Sequence, residues 1–459
     1  MANLYAHQQR AVDFILNQNG CAAIFADIGT GKTLIALTAF QRLREKTPGL
    51  KLLVICPISL IESAWGEDIK KFTSFSYCNL RKEFNSKADI FLLNYEAVIT
   101  KSGLEKIQKV SENKTMIVND ESSKIKNHQA KVSKVLLKIK NLFLYRLVMS
   151  GSPAPNDETE YWTQITFVKD GIFHPSFYAF RNTYFYLSRG NQIISGKVFN
   201  KDIARRLFSQ GFKYKLSPSG VKSLAGRMAP VCFKARKEDC LDLPDQVDEI
   251  RSVEMEKNQS DCYARMKNHL VVELQNQQIT APVALTKLMK LRQICSGFII
   301  NTAGDTVYIG ENPKLKELRE VLDEIGKEQV IIWATFREEI RTICTMLGSK
   351  AVSLYGETVD KDSAISAFKT GKAQYLVAHP RSAGHGLTFV NSHIQIFYSL
   401  DYSWECYFQA RGRTHRVGQV SKCTYIHLLC NKSIDEVIYA VIKRKADQSE
   451  IVYQFIKNQ

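Results

Sequence analysis

The sequence predicts an α/β protein with two parallel-sheet domains. Three observations carry this expectation. Apolar runs of strand length alternate with helical patterns over residues 21–150. The same grammar returns over 329–430. A glycine-rich turn, "FADIGTGKT" from Phe25 to Thr33, follows the first apolar run and opens a helical one. Strands covered on both faces read as unbroken apolar runs, and the helices between them supply parallel crossovers.

In chain order, the first domain offers "CAAIFAD", "KLLVICP", "DIFLLNYE", "TMIVNDE" and "RLVMSG" as strands. The second offers "QVIIWATF", "KAVSLYG", "YLVAHP", "HIQIFYSL" and "CTYIHLLC". Between them the character changes. Residues 261–278 and 283–295 read as helices, whereas 186–230 is basic, rich in Gly and Ser, and without a period. Inside it, "YFYLS" and "QIISGKVF" flank Arg189-Gly190-Asn191, which reads as a hairpin over 184–200. From Ile434 to Ile456 the pattern is helical. At 459 residues the chain exceeds one ordinary core. The expected division is a first lobe over 1–160, an insertion region over 161–312 that returns to the first lobe near 230–255, a second lobe over 313–445, and a terminal helix over 446–459.

Lys and Arg exceed Asp and Glu by 17. This excess favours a polyanionic partner, nucleic acid before membrane surface, with a solubilising surface charge as the plain alternative. No apolar run reaches the length of a bilayer span, and no signal-peptide pattern is present, so no membrane association is expected. The eleven cysteines form no Cys-x-x-Cys pair. They read as reduced, mostly buried thiols of an intracellular protein rather than zinc ligands.

The glycine-rich turn is a candidate nucleotide loop made of Ala26, Asp27, Ile28, Gly29, Thr30, Gly31, Lys32 and Thr33. Backbone amides ahead of a helix N-terminus cradle phosphate, and glycines let the backbone come close. Lys32 brings a point charge to the β- and γ-phosphates, and the Thr33 hydroxyl can ligate Mg²⁺. Ala26 stands where the full pattern has Gly. A partner carboxylate site is expected at another strand's end, and "TMIVNDESS" supplies Asp120 for the metal's water shell and Glu121 as base for the attacking water. A third component is "QARGRTHRVGQ". On a helix Arg413 and Arg416 share one face and suit a transition state of spread negative charge. Arg411 reads as part of a solvated basic face, and His415 as a packed or hydrogen-bonding residue.

Together these blocks resemble the superfamily-two helicases, most closely the Swi/Snf-type ATPases, over nearly the whole chain. "LYAHQQ" looks like the glutamine motif, which puts Gln8 at adenine. "CPISLIESAWGEDIKKF" is similar to the family's Pro-x-Ser-Leu…Trp block and "NYEAV" to its Tyr-Glu block. "DESSKIKN" matches Asp-Glu-x-x-x-Ile-Lys-Asn, with Ser122-Ser123 in place of Ala-His. "MSGSPAPN" resembles the coupling motif, with Ser150 and Ser152 for threonines. "KARKEDCLDLPDQ", "LMKLRQIC" and "NPKLKELREVL" look like the blocks between the lobes. "RSAGHGLTF" resembles the Gly-rich fifth motif with Gly384 and Gly386, and "QARGRTHRVGQ" the sixth, with Gln409 at the nucleotide and Arg413 and Arg416 as arginine fingers. Phe180 to Leu207 and "SLDYSWECYFQARGR" are similar to the distant branch that holds annealing helicases and compact phage-encoded helicases.

The resemblance implies two RecA-like lobes with helical and hairpin insertions, ATP and Mg²⁺ as cofactors, and DNA-dependent ATP hydrolysis. It implies ATP between the lobes and DNA held mainly through phosphates, with Ser59, Lys70, Asn94, Tyr95, Thr388 and Trp404 as contacts. For Tyr95 and Trp404 a place in the core is an equal alternative. Three readings compete. The first is a motor remodelling forked or four-way DNA by unwinding or branch migration, in replication or recombination. The second is a duplex translocase displacing or sliding bound proteins. The third is a non-enzymatic DNA-binding scaffold, which the intact Lys32, Glu121, Arg413 and Arg416 argue against. A monomer, cytoplasmic or nucleoid-associated in an infected bacterium or else nuclear, working with replication or recombination proteins, is expected.

Overall fold

The computed structural model describes residues 4–189, 192–194, 212–275, 281–382 and 387–444. The chain divides into two compact units between Leu241 and Asp242.

The first unit is built on β1 (Cys21–Ala26), β2 (Lys51–Cys56), β3 (Tyr77–Asn79), β4 (Ile90–Asn94), β5 (Thr115–Asp120) and β6 (Tyr145–Ser150). Then come β7 (Phe185–Arg189), β8 (Gln192–Ile194), β9 (Lys213–Leu216) and β10 (Cys232–Ala235). The main sheet has the order β10-β1-β6-β5-β2-β4-β3, with every pair parallel. Strand residues alternate between two apolar layers. Leu53, Ile55, Ile117 and Val148 pack on one face, and Leu52, Val54, Val118 and Leu147 on the other. This two-sided burial is why the strands read as unbroken apolar runs. It also leaves the strands' carboxyl ends, where β1 and β5 finish, as the edge at which such sheets bind ligands.

The second unit contains β11 (Gln246–Val253), β12 (Phe298–Ile300), β13 (Thr306–Tyr308), β14 (Val330–Trp333), β15 (Ala351–Leu354), β16 (Tyr375–Ala378), β17 (Ile394–Phe397) and β18 (Cys423–Cys430). Its parallel sheet has the order β11-β18-β17-β14-β16-β15. The helices Lys257–Gln275 and Ala281–Cys295 form where the apolar period placed them.

One boundary differs from expectation. The stretch 230–255 does not return to the first lobe as a block. β10 adds to the first sheet beside β1, whereas β11 pairs along its whole length with β18 in the second. The physical reason is polarity. β11 carries Gln246, Asp248, Glu249 and Arg251 and sits at a sheet edge, where one side needs no apolar cover. The terminal helix expected over 446–459 lies outside the described residues.

The hairpin expectation can be followed in part. β7 pairs antiparallel with β8, matching Leu187 with Ile194 and Arg189 with Gln192, and β9 flanks β7 on the other side. Tyr184 and Phe185 are buried in the first unit's core, as is Leu187. The turn at 190–191 and residues 195–211 lie outside the described residues. All eleven cysteines are free thiols. No helix among the described residues is long and apolar enough to cross a membrane.

Candidate nucleotide-binding site

At the end of β1 the chain turns through Gly29 (φ 90°) and Gly31 (φ 79°) and enters the helix Lys32–Lys46. Glycine tolerates this left-handed backbone without strain. Gly31 is the N-cap and brings no side chain to the first-turn amides, which leaves them for an anion. Lys32 Nζ donates to Ala26 O at 2.9 Å and to Asp27 O at 3.0 Å. Thr30 Oγ1 donates to Asp27 O at 2.8 Å. From the helix Ala6–Asn17, Gln8 Nε2 donates to Thr30 O at 3.0 Å, and His7 Nε2 lies 2.9 Å from the same oxygen. Gln8 Oε1 accepts from Tyr5 N at 3.0 Å, so its amide is engaged at both ends and braces the loop. Ile28 lies over Gly151, where an added Cβ would stand 3.2 Å from Ile28 Cγ1.

Two constraints meet at Gly31. A Cβ there would fall 2.2 Å from Gln8 Nε2, and its φ is left-handed. Gly31→Ala therefore carries about 1–2 kcal/mol of backbone strain besides the clash. Titration with a fluorescent ATP analogue is expected to show affinity reduced about tenfold or more, while the melting curve stays cooperative. Unchanged affinity would remove the loop from nucleotide binding.

Asp120 and Glu121 stand at the end of β5. Asp120 Oδ2 accepts from Trp65 Nε1 at 2.9 Å, and its Oδ1 from the Glu121 amide at 3.0 Å. Burial pushes the Asp120 carboxyl above its ordinary range, opposed by the Trp65 bond and the Lys32 charge. Glu121 is a non-glycine residue in the left-handed region, at φ 56° and ψ 55°. Such strain persists only where the surroundings impose it. Its Oε1 accepts from Ser123 Oγ at 3.4 Å and from Ser150 Oγ at 3.3 Å, so the coupling-motif serine touches the base. Asp27 is also raised by burial, offset by the Lys237 amide, which donates to Oδ2 at 3.2 Å, and by the charges of Lys237 and Lys32. Burial pushes the nearby Asp68 carboxyl up to about 6, opposed by the Lys71 charge.

These residues fit a nucleotide with a divalent cation. The glycine turn and uncapped helix suit phosphate, and a hydroxyl and a buried carboxylate, Thr33 and Asp120, suit a hard cation.

In the second unit the helix Trp404–Arg411 stops before the two arginines expected to share its face. Arg413 and Arg416 instead lie in the turn that follows, because the backbone leaves the helix at Gly412. Arg413 is buried, with Nη1 donating to Leu387 O at 3.1 Å. Arg416 donates from Nε to Gly412 O at 2.6 Å and from Nη1 to Thr388 Oγ1 at 2.7 Å. Burial pushes its guanidinium down to about 10. Arg411 is not a solvated residue. It pairs with Asp248 at 2.8 Å and lies 3.9 Å from the Tyr425 ring centre. His415 packs as expected, within 2.8 Å of Pro244 O. Gln409 is buried, and its Nε2 has no hydrogen-bond partner among the described residues. Gly384 and Gly386 lie outside the described residues.

The expected DNA contacts separate by burial. Ser59 and Lys70 are exposed. Asn94 and Tyr95 are 6% and 4% exposed, which removes their side chains as surface contacts. Tyr95 takes the core alternative and donates its hydroxyl to Asp120 O at 2.8 Å. Thr388 is half-buried and occupied by Arg416. Trp404 is half-buried against Tyr407 and Phe408, so its ring serves partly as packing. Sequence reasoning missed Trp65 as the partner of Asp120. Its only signal was membership of the Trp block.

The SNF2-related domain family matches residues 7–297, and the helicase conserved C-terminal domain matches residues 313–418. A Caenorhabditis elegans protein described as a SWI/SNF-related matrix-associated actin-dependent regulator of chromatin subfamily A-like protein 1 homolog is 22% identical over 97% of this chain. The chain spans 61% of that relative's length. The putative protein p41 of Acyrthosiphon pisum secondary endosymbiont phage 1 is 23% identical over 90% of both chains. The Sulfolobus solfataricus SWI2/SNF2 ATPase core in complex with dsDNA aligns over 98% of this chain and 95% of its own, at 21% identity and a TM-score of 0.45. With the SNF2-related model covering well over half its length, the chain belongs to the SNF2-related domain family.

Proposed function

We propose that this chain is an ATP-dependent DNA translocase that remodels branched DNA. The observation that carries the hydrolytic part is the strained, buried Glu121 at the end of β5, on the same sheet edge as an uncapped glycine-turn helix. In this reading Lys32 and the loop amides bind the phosphates, and Glu121 takes the proton of the attacking water. Thr33 and Asp120 hold Mg²⁺, which when bound neutralises phosphate charge. Arg416, with Arg413 beside it in sequence, is the guanidinium this reading assigns to the charge that develops on the γ-phosphoryl group.

The excess of 17 basic residues and the exposed Lys70 support a DNA partner held through phosphates. Binding is expected to weaken steeply with salt, by roughly 0.9 log unit per log unit of salt for each phosphate neutralised, and to vary little between two unrelated duplexes. A flat salt response would point to base readout instead. A displacer of duplex-bound proteins remains the second reading, favoured by the chromatin-regulator description of the C. elegans relative. ATPase rates with single-stranded DNA, duplex, fork, four-way junction and RNA decide. Strongest stimulation by fork or junction supports remodelling of branches. Equal stimulation by plain duplex favours the second reading, and no stimulation by any DNA removes both.

A further inference from the structure

One basic surface of the first unit belongs neither to the nucleotide site nor to the helix that carries Lys70. From Lys124 to Asn141 the chain is rich in lysine and holds no acidic residue. Lys126 and Lys140 are paired, with Glu160 and Asp170. Lys131, Lys134 and Lys138 are exposed and pair with no carboxylate among the described residues. Spaced i, i+3 and i+7, they form one stripe on the helix Lys131–Ile139, whose Val132, Val135 and Leu136 pack inward.

Aromatic rings adjoin the stripe. His128 precedes that helix, and its ring stacks on Phe177 at 3.5 Å and 14° and meets Tyr178 edge-on at 5.9 Å. Burial, with the charges of Arg181 and Lys134, holds the imidazole below its ordinary range, so His128 contributes a ring rather than a charge. Tyr178 is 45% exposed. On the helix Phe177–Tyr184 it stands three positions before Arg181 and shares a side with it. The Arg181 guanidinium lies 5.3 Å from the Tyr178 ring centre and 4.1 Å from that of Tyr214 on β9. Among the described residues its Nε has no hydrogen-bond partner.

We propose that Tyr178, Arg181 and the stripe of Lys131, Lys134 and Lys138 form a binding surface for single-stranded DNA. An exposed ring braced by its neighbours offers an open face on which an unpaired base can stack, whatever its identity. Bases inside a duplex are already stacked and present no such face. A guanidinium lying on a tyrosine keeps its in-plane N–H donors for a phosphate, with no carboxylate competing. The stripe runs about 10 Å along its helix, long enough for more than one phosphate of a strand. The surface is also separate from Lys70. The stripe's helix packs on the layer of Leu53, Ile55, Ile117 and Val148, whereas Ile69, beside Lys70, packs on the layer of Leu52, Val54, Val118 and Leu147. A duplex on Lys70 and a single strand on Tyr178 would thus occupy opposite faces of one sheet, and a branch supplies both kinds of segment. The role at a branch rests on the branched-DNA reading above, whereas the surface itself does not.

The test reads binding without nucleotide, so it is independent of ATP hydrolysis. Anisotropy of a short labelled oligothymidylate and of a labelled blunt duplex is followed with the full chain, with a melting curve for each variant. Tyr178→Ala is expected to weaken oligothymidylate binding by about 5–100-fold, the range for losing one stacked base, with Tyr178→Phe within about twofold of the parent. Arg181→Gln should weaken it about tenfold or more. Lys131→Gln, Lys134→Gln and Lys138→Gln together should make the slope of log affinity against log salt shallower by about 2, at about 0.7 per phosphate of a single strand. Duplex affinity should stay within about twofold in the tyrosine and arginine variants. A parent protein that does not bind the oligothymidylate, or Tyr178→Ala binding it as the parent does, overturns the inference. Equal loss of single-strand and duplex binding in Tyr178→Ala would show one common DNA surface and overturns it as well. An oligouridylate held more tightly than the oligothymidylate would overturn the assignment to DNA. If Arg181→Gln does not fold, Tyr178, half outside the core, still decides. Equal ATPase stimulation by duplex and junction would remove the branched-DNA reading alone, which is distinct from failure of this surface.

Discussion

Glu121→Gln is expected to cut kcat by about 10²–10⁴-fold, the range for losing a positioned general base, while nucleotide affinity stays nearly unchanged. Glutamine keeps a carbonyl oxygen for the Ser123 and Ser150 hydroxyls that now reach Oε1 at 3.4 and 3.3 Å. What it loses is basicity. The adjacent Asp120 has another task in this reading, since its two oxygens accept from Trp65 Nε1 and the Glu121 amide and its remaining lone pairs are assigned to the cation. The left-handed backbone of Glu121 should persist, since it is imposed by β5 before it and the short helix Ser122–Ile125 after it. Single-turnover hydrolysis measured beside nucleotide titration separates the two quantities. A variant that hydrolyses at the parent rate would place the base elsewhere. Joint loss of affinity and rate would mean that the substitution disturbs the Asp120 metal site.

Much of this site was legible because its parts are local in sequence. Gly29, Gly31, Lys32 and Thr33 lie within five residues of one another, and a strand before and a helix after give them meaning. Asp120 and Glu121 were legible for the same reason, at the end of an apolar run. The sheets followed from unbroken apolar strands, and each of the ten strand-like runs read from the sequence contains a strand. The strands that escaped are short or polar. β3 is three residues long, and β11 alternates charged side chains at a sheet edge. Neither gives the apolar run on which the reading depends.

Long-range hydrogen bonds were not legible. Trp65 and Asp120 are 55 positions apart, and nothing in either segment names the other. The backbone of Glu121 was hidden too, since glutamate gives no sign of φ > 0. Tyr95 was left between two alternatives. A tyrosine after an apolar strand can cap a surface or fill a core, and only its hydroxyl's bond to Asp120 O decides for the core. The sixth motif misled by period. Spacing of three suggested a shared helical face, but Gly412 ends the helix, so Arg413 and Arg416 are placed by a turn and its hydrogen bonds.

That turn sets the final expectation, a contrast between two arginines five residues apart. Arg416 is held by neutral acceptors, Gly412 O at 2.6 Å and Thr388 Oγ1 at 2.7 Å, and no carboxylate among the described residues lies within ion-pair distance. Burial of a guanidinium with only neutral partners is costly, and its depressed pKa of about 10 expresses that cost. The arrangement suits a charge kept for an incoming anion. Arg416→Ala is therefore expected to lower kcat by about 10³-fold or more, as for arginine fingers, with little change in nucleotide affinity, because the interaction strengthens as charge develops. Arg416→Lys should recover only part, since a point charge replaces a planar fork. Arg411 is the counterpart. It binds Asp248 at 2.8 and 3.1 Å, accompanied by Lys443 at 2.8 Å, and packs on Tyr425. Burial would raise Asp248, but Arg411 and Lys443 hold it below the ordinary carboxylate range. Because β11 carries Asp248 and β18 carries Tyr425, Arg411 ties its helix to the sheet edge. Arg411→Ala should lower stability by on the order of 2 kcal/mol and leave kcat per folded molecule near the parent value. Thermal melts beside single-turnover rates read both effects. Equal loss of rate in Arg416→Ala and Arg411→Ala, after correction for the folded fraction, would show that neither guanidinium acts on the transition state and that the sixth motif here is structural.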